Sequence, residues 1–286
     1  MKPPHFEYRR PSTVPEALAD LAAPGARVLA GGQSLLPLLN QRLVDVGRLV
    51  DVNRIAGLDR LTVDDDRLHV GATVRQATAL RSPVVAAAAP LLVAALARTG
   101  HPQVRSRGTV LGSLCHHDPA AELPAVALAL DAGIVVADGP TVPAAEFFGA
   151  AFETAVPAGG LAVAVTFPVA PPGTRAGFAE IGRKAKDLPL VAVGAQITVA
   201  DGRIVAARVA ATGLAAHPQR MTATEQALLG NPADGPAIAA AARAATGEID
   251  PDLTLRASAG YRRRVLPAVV RRALDDALPT AGAVAA

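Results

Sequence analysis

The stretch VLAGGQSLLP, residues 28–37, carries the reading on which the fold turns. A short apolar run ends in two glycines, a polar pair follows, and a helical pattern begins at once. Strand, glycine turn and helix in that order make half of an α/β unit. The glycines let the backbone come close to a neighbour, and the helix start presents N–H groups that have no partner inside the helix. Such a turn suits either a plain strand-to-helix connection or a cradle for phosphate or pyrophosphate. It is not G-x-G-x-x-G and has no Walker lysine, so neither standard nucleotide fingerprint applies.

On the N-terminal side, STVPEALADLAAPG reads as a complete helix, with Ser12 or Thr13 as cap, Pro15 and Glu16 in the first turn and Gly25 at the end. ARVLAGG is a strand, QSLLPLLNQRL a helix and RLVDVNRI a second strand. The first fifty-odd residues therefore alternate α-β-α-β, which suggests a small parallel sheet. The pattern then changes. LDRLTVDDDRLHVGATV reads as a β-hairpin, TVRQATALRSP as a short helix capped by Thr73, and SPVVAAAAPLLVAALARTG as one longer helix. LPAVALALDAGIVVADG gives a helical piece and a strand, and GGLAVAVTFPV another strand before a Pro171-Pro172-Gly173 linker. Beyond it, two alternating strands flank Asp201-Gly202, a strong hairpin signal. Three helical segments follow. The expected parts are 1–55, 56–172 and 173–286.

Bulk properties narrow the function. Of 286 residues, 51% are hydrophobic and 19% charged, which excludes a disordered chain. Net charge is only +3, from 28 basic against 25 acidic residues, and aromatic residues are 3%. Neither a nucleic-acid footprint nor a base-stacking platform is expected, and the Arg262-Arg263-Arg264 cluster reads as a solvated helix face or a partner contact. One cysteine excludes an internal disulfide and a self-contained Cys-ligated iron–sulfur cluster. The N-terminus lacks the apolar core of a signal peptide, and no run is long enough for a membrane span; the expected location is cytoplasmic.

A second stretch, RSRGTVLGSLCHHDPAAELP at 105–124, holds most of the chemically able side chains. His116 and His117 are neighbours and diverge on either a strand or a helix, so they make a poor shared metal site, even with His101 and Cys115 nearby. Cys115 sits among apolar residues, where a small buried thiol is the usual reading. Arg105, Arg107, Gly108, Thr109, Gly112 and Ser113 suit an anion better. Asp118 and Glu122 are then available to accept from sugar hydroxyls. Two separate glycine- and hydroxyl-rich loops favour a dinucleotide over either loop alone. In FAEIGRKAKDLPLVAVGA, Lys186 and Asp187 are either a solvated strand entry or ligand-facing.

Together AGGQSLLPLLNQRL, TGHPQVRSRGTVLGSLCHHDPAAELPAVALALDA and ASAGYRRRVLPAVVRRAL resemble the FAD-binding (medium) subunit of molybdenum hydroxylases, a family that includes the medium subunit of aerobic carbon monoxide dehydrogenase and the FAD domain of xanthine dehydrogenase. The resemblance covers nearly the whole chain. It implies an α+β fold: a two-part FAD-binding fold of the vanillyl-alcohol-oxidase (PCMH) type, then a C-terminal domain with a three-stranded antiparallel sheet and helices. It implies FAD held at Ala30, Gly31, Gly32, Gln33, Ser34 and Leu35 and at Thr109, Gly112 and Ser113. Asp118 and Glu122 become candidates for the ribose or adenine side, with His117, Leu161 and Lys186 as further cofactor contacts. The implied partners are a molybdenum-cofactor large subunit and a [2Fe–2S] small subunit. No residue of the hydroxylation chemistry and no metal ligand is expected in this chain. The flavin would pass electrons from the partner's clusters to a final acceptor. A stand-alone flavoenzyme and a scaffold that has lost FAD are the rival readings.

Three positions depart from the family. Its T-I-G-G-S appears as Thr109-Val110-Leu111-Gly112-Ser113, so Leu111 stands at the first glycine and is expected to reshape one wall of the pyrophosphate site. Its R-R-x-G-D-[FY] appears as Arg183-Lys184-Ala185-Lys186-Asp187-Leu188, losing the aromatic. Glu180 stands near the position where relatives often carry lysine.

Overall fold

The computed structural model describes residues 2–184, 186–249, 251–253 and 256–278. The first part is β1 (Glu7–Arg9), α1 (Val14–Leu21), β2 (Ala26–Leu29), α2 (Leu35–Asn40) and β3 (Arg48–Asp51). The three strands form a parallel sheet in the order β1-β3-β2, with Leu29 beside Asp51 at its end. The alternating pattern is therefore present, with the additional strand β1 ahead of it. Thr13 is the cap of α1: its hydroxyl accepts from Glu16 N–H, while the Glu16 carboxylate accepts from Ser12. That reciprocal arrangement satisfies amides the helix cannot.

The second part runs β4 (Leu61–Asp64), β5 (Arg67–Gly71), α3 (Gln76–Arg81), α4 (Pro83–Ala88), α5 (Pro90–Arg98), α6 (Pro102–Arg107), α7 (Val110–His116), α8 (Glu122–Ala129), β6 (Gly133–Val136), β7 (Thr141–Pro143), α9 (Ala144–Phe147) and β8 (Ala162–Pro168). Its sheet is antiparallel in the order β4-β5-β8-β6-β7. Two local expectations change here. Arg75, not Thr73, precedes α3. The expected single helix over 82–100 is two, because Ala89 before Pro90 leaves the helical region (φ −142°, ψ 68°) and Pro90 opens α5.

The third part holds β9 (Thr174–Ile181), β10 (Val191–Ala200), β11 (Arg203–Thr212), β12 (Gln219–Arg220), α10 (Thr222–Leu228), α11 (Gly235–Ala244) and α12 (Ala259–Ala277). Three long antiparallel strands carry the sheet, and the two-residue β12 adds a fourth at the edge. Asp201 and Gly202 both have positive φ (51° and 73°), as a two-residue primed hairpin turn requires. Arg262 is buried and donates to the carbonyls of Leu190 and Gly213.

One apolar core joins the first and second parts, and a second lies between the C-terminal sheet and its helices. The third part also grips the second. Thr212 Oγ1 and Gly213 N both donate to Pro119 O, at 2.7 and 2.9 Å, just beyond α7. No described helix is long and apolar enough to cross a membrane.

Candidate cofactor site

The glycine turn leaves β2 at Leu29 and enters α2 at Leu35. Among the described residues, the backbone N–H groups of Gly31, Gly32, Gln33, Ser34 and Leu35 have no acceptor within the chain. Gly32 bends the run with φ +71°. Consecutive unpaired amides around a left-handed residue form a concave donor set for an anion. This is the first feature that decides the site's chemistry.

The second loop lies against the first. A Cβ on Gly31 would sit 2.5 Å from Arg107 O and 2.7 Å from Gly108 Cα. Both are backbone atoms, so no side chain could swing aside. Gly31 is therefore demanded by the facing loop itself. Gly108 O accepts from Gln76 N–H at 2.8 Å, and Val110 N–H donates to Val74 O at 3.2 Å. The second loop is thereby laid along the segment that leads into α3.

Thr109 then caps α7. Its hydroxyl accepts from Gly112 N–H at 3.0 Å, and Ser113 N–H donates to Thr109 O at 3.3 Å. A Cβ on Gly112 would lie 2.5 Å from the Thr109 hydroxyl oxygen, so glycine here protects the cap. Leu111 points the other way. It is 2% exposed, within the main core alongside Val110 and Leu114. The side chain expected to reshape one wall of the pyrophosphate site is thus held in the core by the phase of α7.

Charge at the junction is positive. Burial, and then the neighbouring Arg107 guanidinium, push the Arg75 pKa down, while Asp51 opposes them. Two like charges beside a row of unpaired amides would be relieved by an anion. Asp51 stays ionised: burial raises its carboxyl, but hydrogen bonds from Tyr8 and Asn53 outweigh that and hold it below the usual value.

The remaining candidates fall into two other groups. His117 caps the end of α7 in left-handed backbone (φ 45°) and is fully buried. Its Nδ1 lies 2.8 Å from Glu153 O, its ring packs on Phe148 at 4.9 Å between centroids, and its Nε2 has no protein partner. Burial lowers its pKa. Asp118 Oδ1 accepts from Ala120 N–H at 2.9 Å. Glu122 opens α8, is 4% exposed, and faces Thr99 and Glu180; burial pushes its carboxyl up to about 7, and Glu180 adds to the rise. Lys186 lies in the same group: its Nζ donates to Ala97 O at 2.6 Å and Arg98 O at 3.3 Å, at the end of α5. Lys186 takes left-handed backbone (φ 66°) at the position where the family pattern has glycine. Leu161 is buried in the main core and accepts from Ala137 N–H. Burial pushes the Cys115 thiol up to about 12, which keeps it protonated. Among the described residues, no three His, Cys, Asp or Glu side chains gather into a metal-holding group.

Sequence reasoning missed Asn53 and Arg75, which bridge the two loops. Asp51-Val52-Asn53 carries one legible signal, a strand end followed by an acidic turn residue, and Asp51 does accept from Asn53 N–H over the 3₁₀ turn Val52–Arg54. Nothing local marks Arg75.

The donor set fits FAD, whose pyrophosphate oxygens accept hydrogen bonds only. Comparison with known proteins points the same way. Residues 4–170 match the family described as FAD binding domain in molybdopterin dehydrogenase, and residues 176–277 match the CO dehydrogenase flavoprotein C-terminal domain. The chain is 38% identical over 290 residues to the 6-hydroxypseudooxynicotine dehydrogenase complex subunit alpha of Paenarthrobacter nicotinovorans, covering 97% of this chain and 96% of the relative. It is 33% identical over 283 residues to the carbon monoxide dehydrogenase medium chain of Hydrogenophaga pseudoflava, covering 97% and 98%. Among solved structures, a chain of quinoline 2-oxidoreductase from Pseudomonas putida 86 superposes with a TM-score of 0.91 at 34% identity, covering 98% of this chain and 99% of that one. The chain therefore belongs to the FAD-binding medium-subunit family of the molybdenum hydroxylases, oxidoreductase subunits that join an FAD-binding domain to a C-terminal flavoprotein domain.

Proposed function

We propose that this chain is the electron-transfer subunit of a multi-subunit, cytoplasmic molybdenum hydroxylase, receiving electrons from the [2Fe–2S] clusters of a small partner and delivering them to a final acceptor. The observation that carries the reading is the run of five unpaired amides from 31 to 35, facing a second loop across Gly31. Bound FAD supplies the electron-carrying chemistry; the chain binds and orients it. Gly31, Gly32, Gln33, Ser34 and Leu35 donate to the pyrophosphate, Thr109 and Ser113 offer hydroxyls from the facing loop, and Gly112 keeps that loop's cap in place. Asp118 and Glu122 take the ribose or adenine side, and His117, Leu161 and Lys186 line the remainder. Parts 1–55 and 56–172 together hold FAD, and 173–286 packs behind the second; a separate sheet in each supports that division.

Substrate hydroxylation belongs to a molybdenum-cofactor large subunit. The single cysteine agrees with iron–sulfur clusters residing in another chain. The test is purification of the full chain, alone and co-expressed with neighbouring large and cysteine-rich chains. A yellow, FAD-containing protein that reduces its acceptor only with both partners is expected. A chain that stays colourless after incubation with FAD overturns the flavin assignment. A chain that binds FAD and turns over a substrate by itself overturns the partner assignment.

A further inference from the structure

Arg75 and Asn53 belong to no motif, yet they span the junction between the loops. Arg75 Nη1 donates to Arg107 O at 2.6 Å, and Nη2 donates to Asn53 Oδ1 at 2.6 Å. Asn53 carries the link onward: Nδ2 donates to Ala30 O at 2.9 Å. The amide can sit only one way round. Asp51 Oδ1 accepts from Asn53 Nδ2 at 2.6 Å and from Asn53 N at 2.9 Å, so a flipped amide would press its oxygen against those of Asp51 and Ala30. The Tyr8 hydroxyl, reaching across from β1, holds the other Asp51 oxygen.

The bridge ends on the two carbonyls that matter. Arg107 O is the atom a Cβ on Gly31 would strike. Ala30 O shares a peptide with Gly31 N–H, and in a trans peptide the two point in opposite directions. Drawing Ala30 O towards Asn53 therefore turns Gly31 N–H away from it, as the first of the five unpaired amides. A guanidinium reaches two acceptors in two directions from one rigid plane, which a lysine ammonium cannot reproduce.

Building on the FAD reading above, we propose that Arg75 and Asn53 are positioning residues that fix the spacing of the two glycine loops and the direction of the Gly31 amide, and so set the affinity for the FAD pyrophosphate. The bridge works in series, so breaking either link loses the whole effect.

The experiment uses the full chain, deflavinated and titrated with FAD, for wild type, Arg75→Met, Asn53→Ala, the double variant and Arg75→Lys. Each single variant is expected to weaken FAD binding at least about tenfold, consistent with loss of a hydrogen bond to a charged group. The double variant should be no weaker than the worse single. Arg75→Lys should recover part of the loss. At saturating FAD, the phosphorus resonances of the bound cofactor should move in the single variants, a signature that reduced stability alone does not produce. Unchanged affinity and unchanged phosphorus resonances in the single variants overturn the proposal, as does a double variant whose losses multiply. Should Arg75→Met fail to fold, Asn53→Ala carries the same comparison. If wild type binds no FAD, the FAD reading fails separately. The bridge is then read by hydrogen exchange at the Gln76 and Val110 amides: faster exchange in Asn53→Ala supports it, and unchanged exchange overturns it.

Discussion

The two glycine loops meet at Gly31 and Gly108, and they use their backbones differently. The first leaves five consecutive amides without protein acceptors. The second ties most of its amides within the protein: Gly112 N–H goes to the Thr109 hydroxyl, Ser113 N–H to Thr109 O, and Val110 N–H to Val74 O, while among the described residues of this loop only the separated amides of Thr109 and Leu111 have no acceptor. Their glycines differ in kind as well. Gly31 is small because another backbone touches it; Gly112 is small because its own helix cap needs room. Glycine content alone therefore does not identify an anion site. What matters is where the N–H groups end up: the first loop presents a continuous run of free donors, whereas the second is chiefly its abutment.

The most forceful test of this contrast lies at Leu111. Leu111→Gly restores the family's residue but removes a core side chain, and should cost roughly 4 kcal/mol of unfolding free energy by denaturant titration, from cavity and glycine terms together. FAD affinity should not improve. Unchanged stability with tighter FAD binding would place Leu111 at the pyrophosphate and erase the distinction between the loops.

Gly31→Ala is the next largest. Its methyl has nowhere to go between Arg107 and Gly108. FAD affinity should fall about a hundredfold, roughly 3 kcal/mol, and the FAD-free chain should unfold at lower denaturant as well, because the backbone of the facing loop has to give way. A Gly31→Ala protein that keeps wild-type FAD affinity contradicts the close approach.

Glu122 tests the abutment side through pH. Its folded pKa, about 7, is raised above the ordinary 4.5 by burial. The folded chain therefore holds a proton that the unfolded chain releases between those values. The stability it brings is complete below the unfolded pKa and is lost as pH rises through about 7, by about 3 kcal/mol. Thermal unfolding of wild type should weaken across that window, and Glu122→Gln should flatten the dependence. A Gln variant with the same slope assigns the titration elsewhere.

The smallest effect belongs to Thr109→Val, which keeps the shape and deletes the cap. It should lower stability by about 1 kcal/mol. Its effect on FAD affinity should stay well below that of Gly31→Ala, because Thr109 is 2% exposed and its oxygen already serves Gly112. A loss of FAD binding as large as that of Gly31→Ala would make the second loop an equal donor.

Much of this architecture is legible along the chain because its causes are local. The Thr13 and Glu16 cap, the Asp201-Gly202 turn and the strand–glycine–helix at 28–37 each depend on residues a few positions apart. The family pattern extended that reading to FAD and to a C-terminal flavoprotein domain. Where an expectation changed, it changed locally too, as when Ala89 before Pro90 split one helix into two.

The site itself was decided by the tertiary structure. Leu111 occupies a glycine position of the pattern, but docking α7 on the core sets the helix phase, and with it the direction of the side chain. The bridge joins Tyr8 to Asp51, Asn53 to Arg75 and Arg75 to Arg107, pairs separated by 43, 22 and 32 positions. No periodicity or spacing encodes such pairs. Sequence determines which backbone groups a turn leaves unpaired, whereas only the packed chain determines what stands opposite them, because that depends on how distant segments are brought together by burial of a shared core.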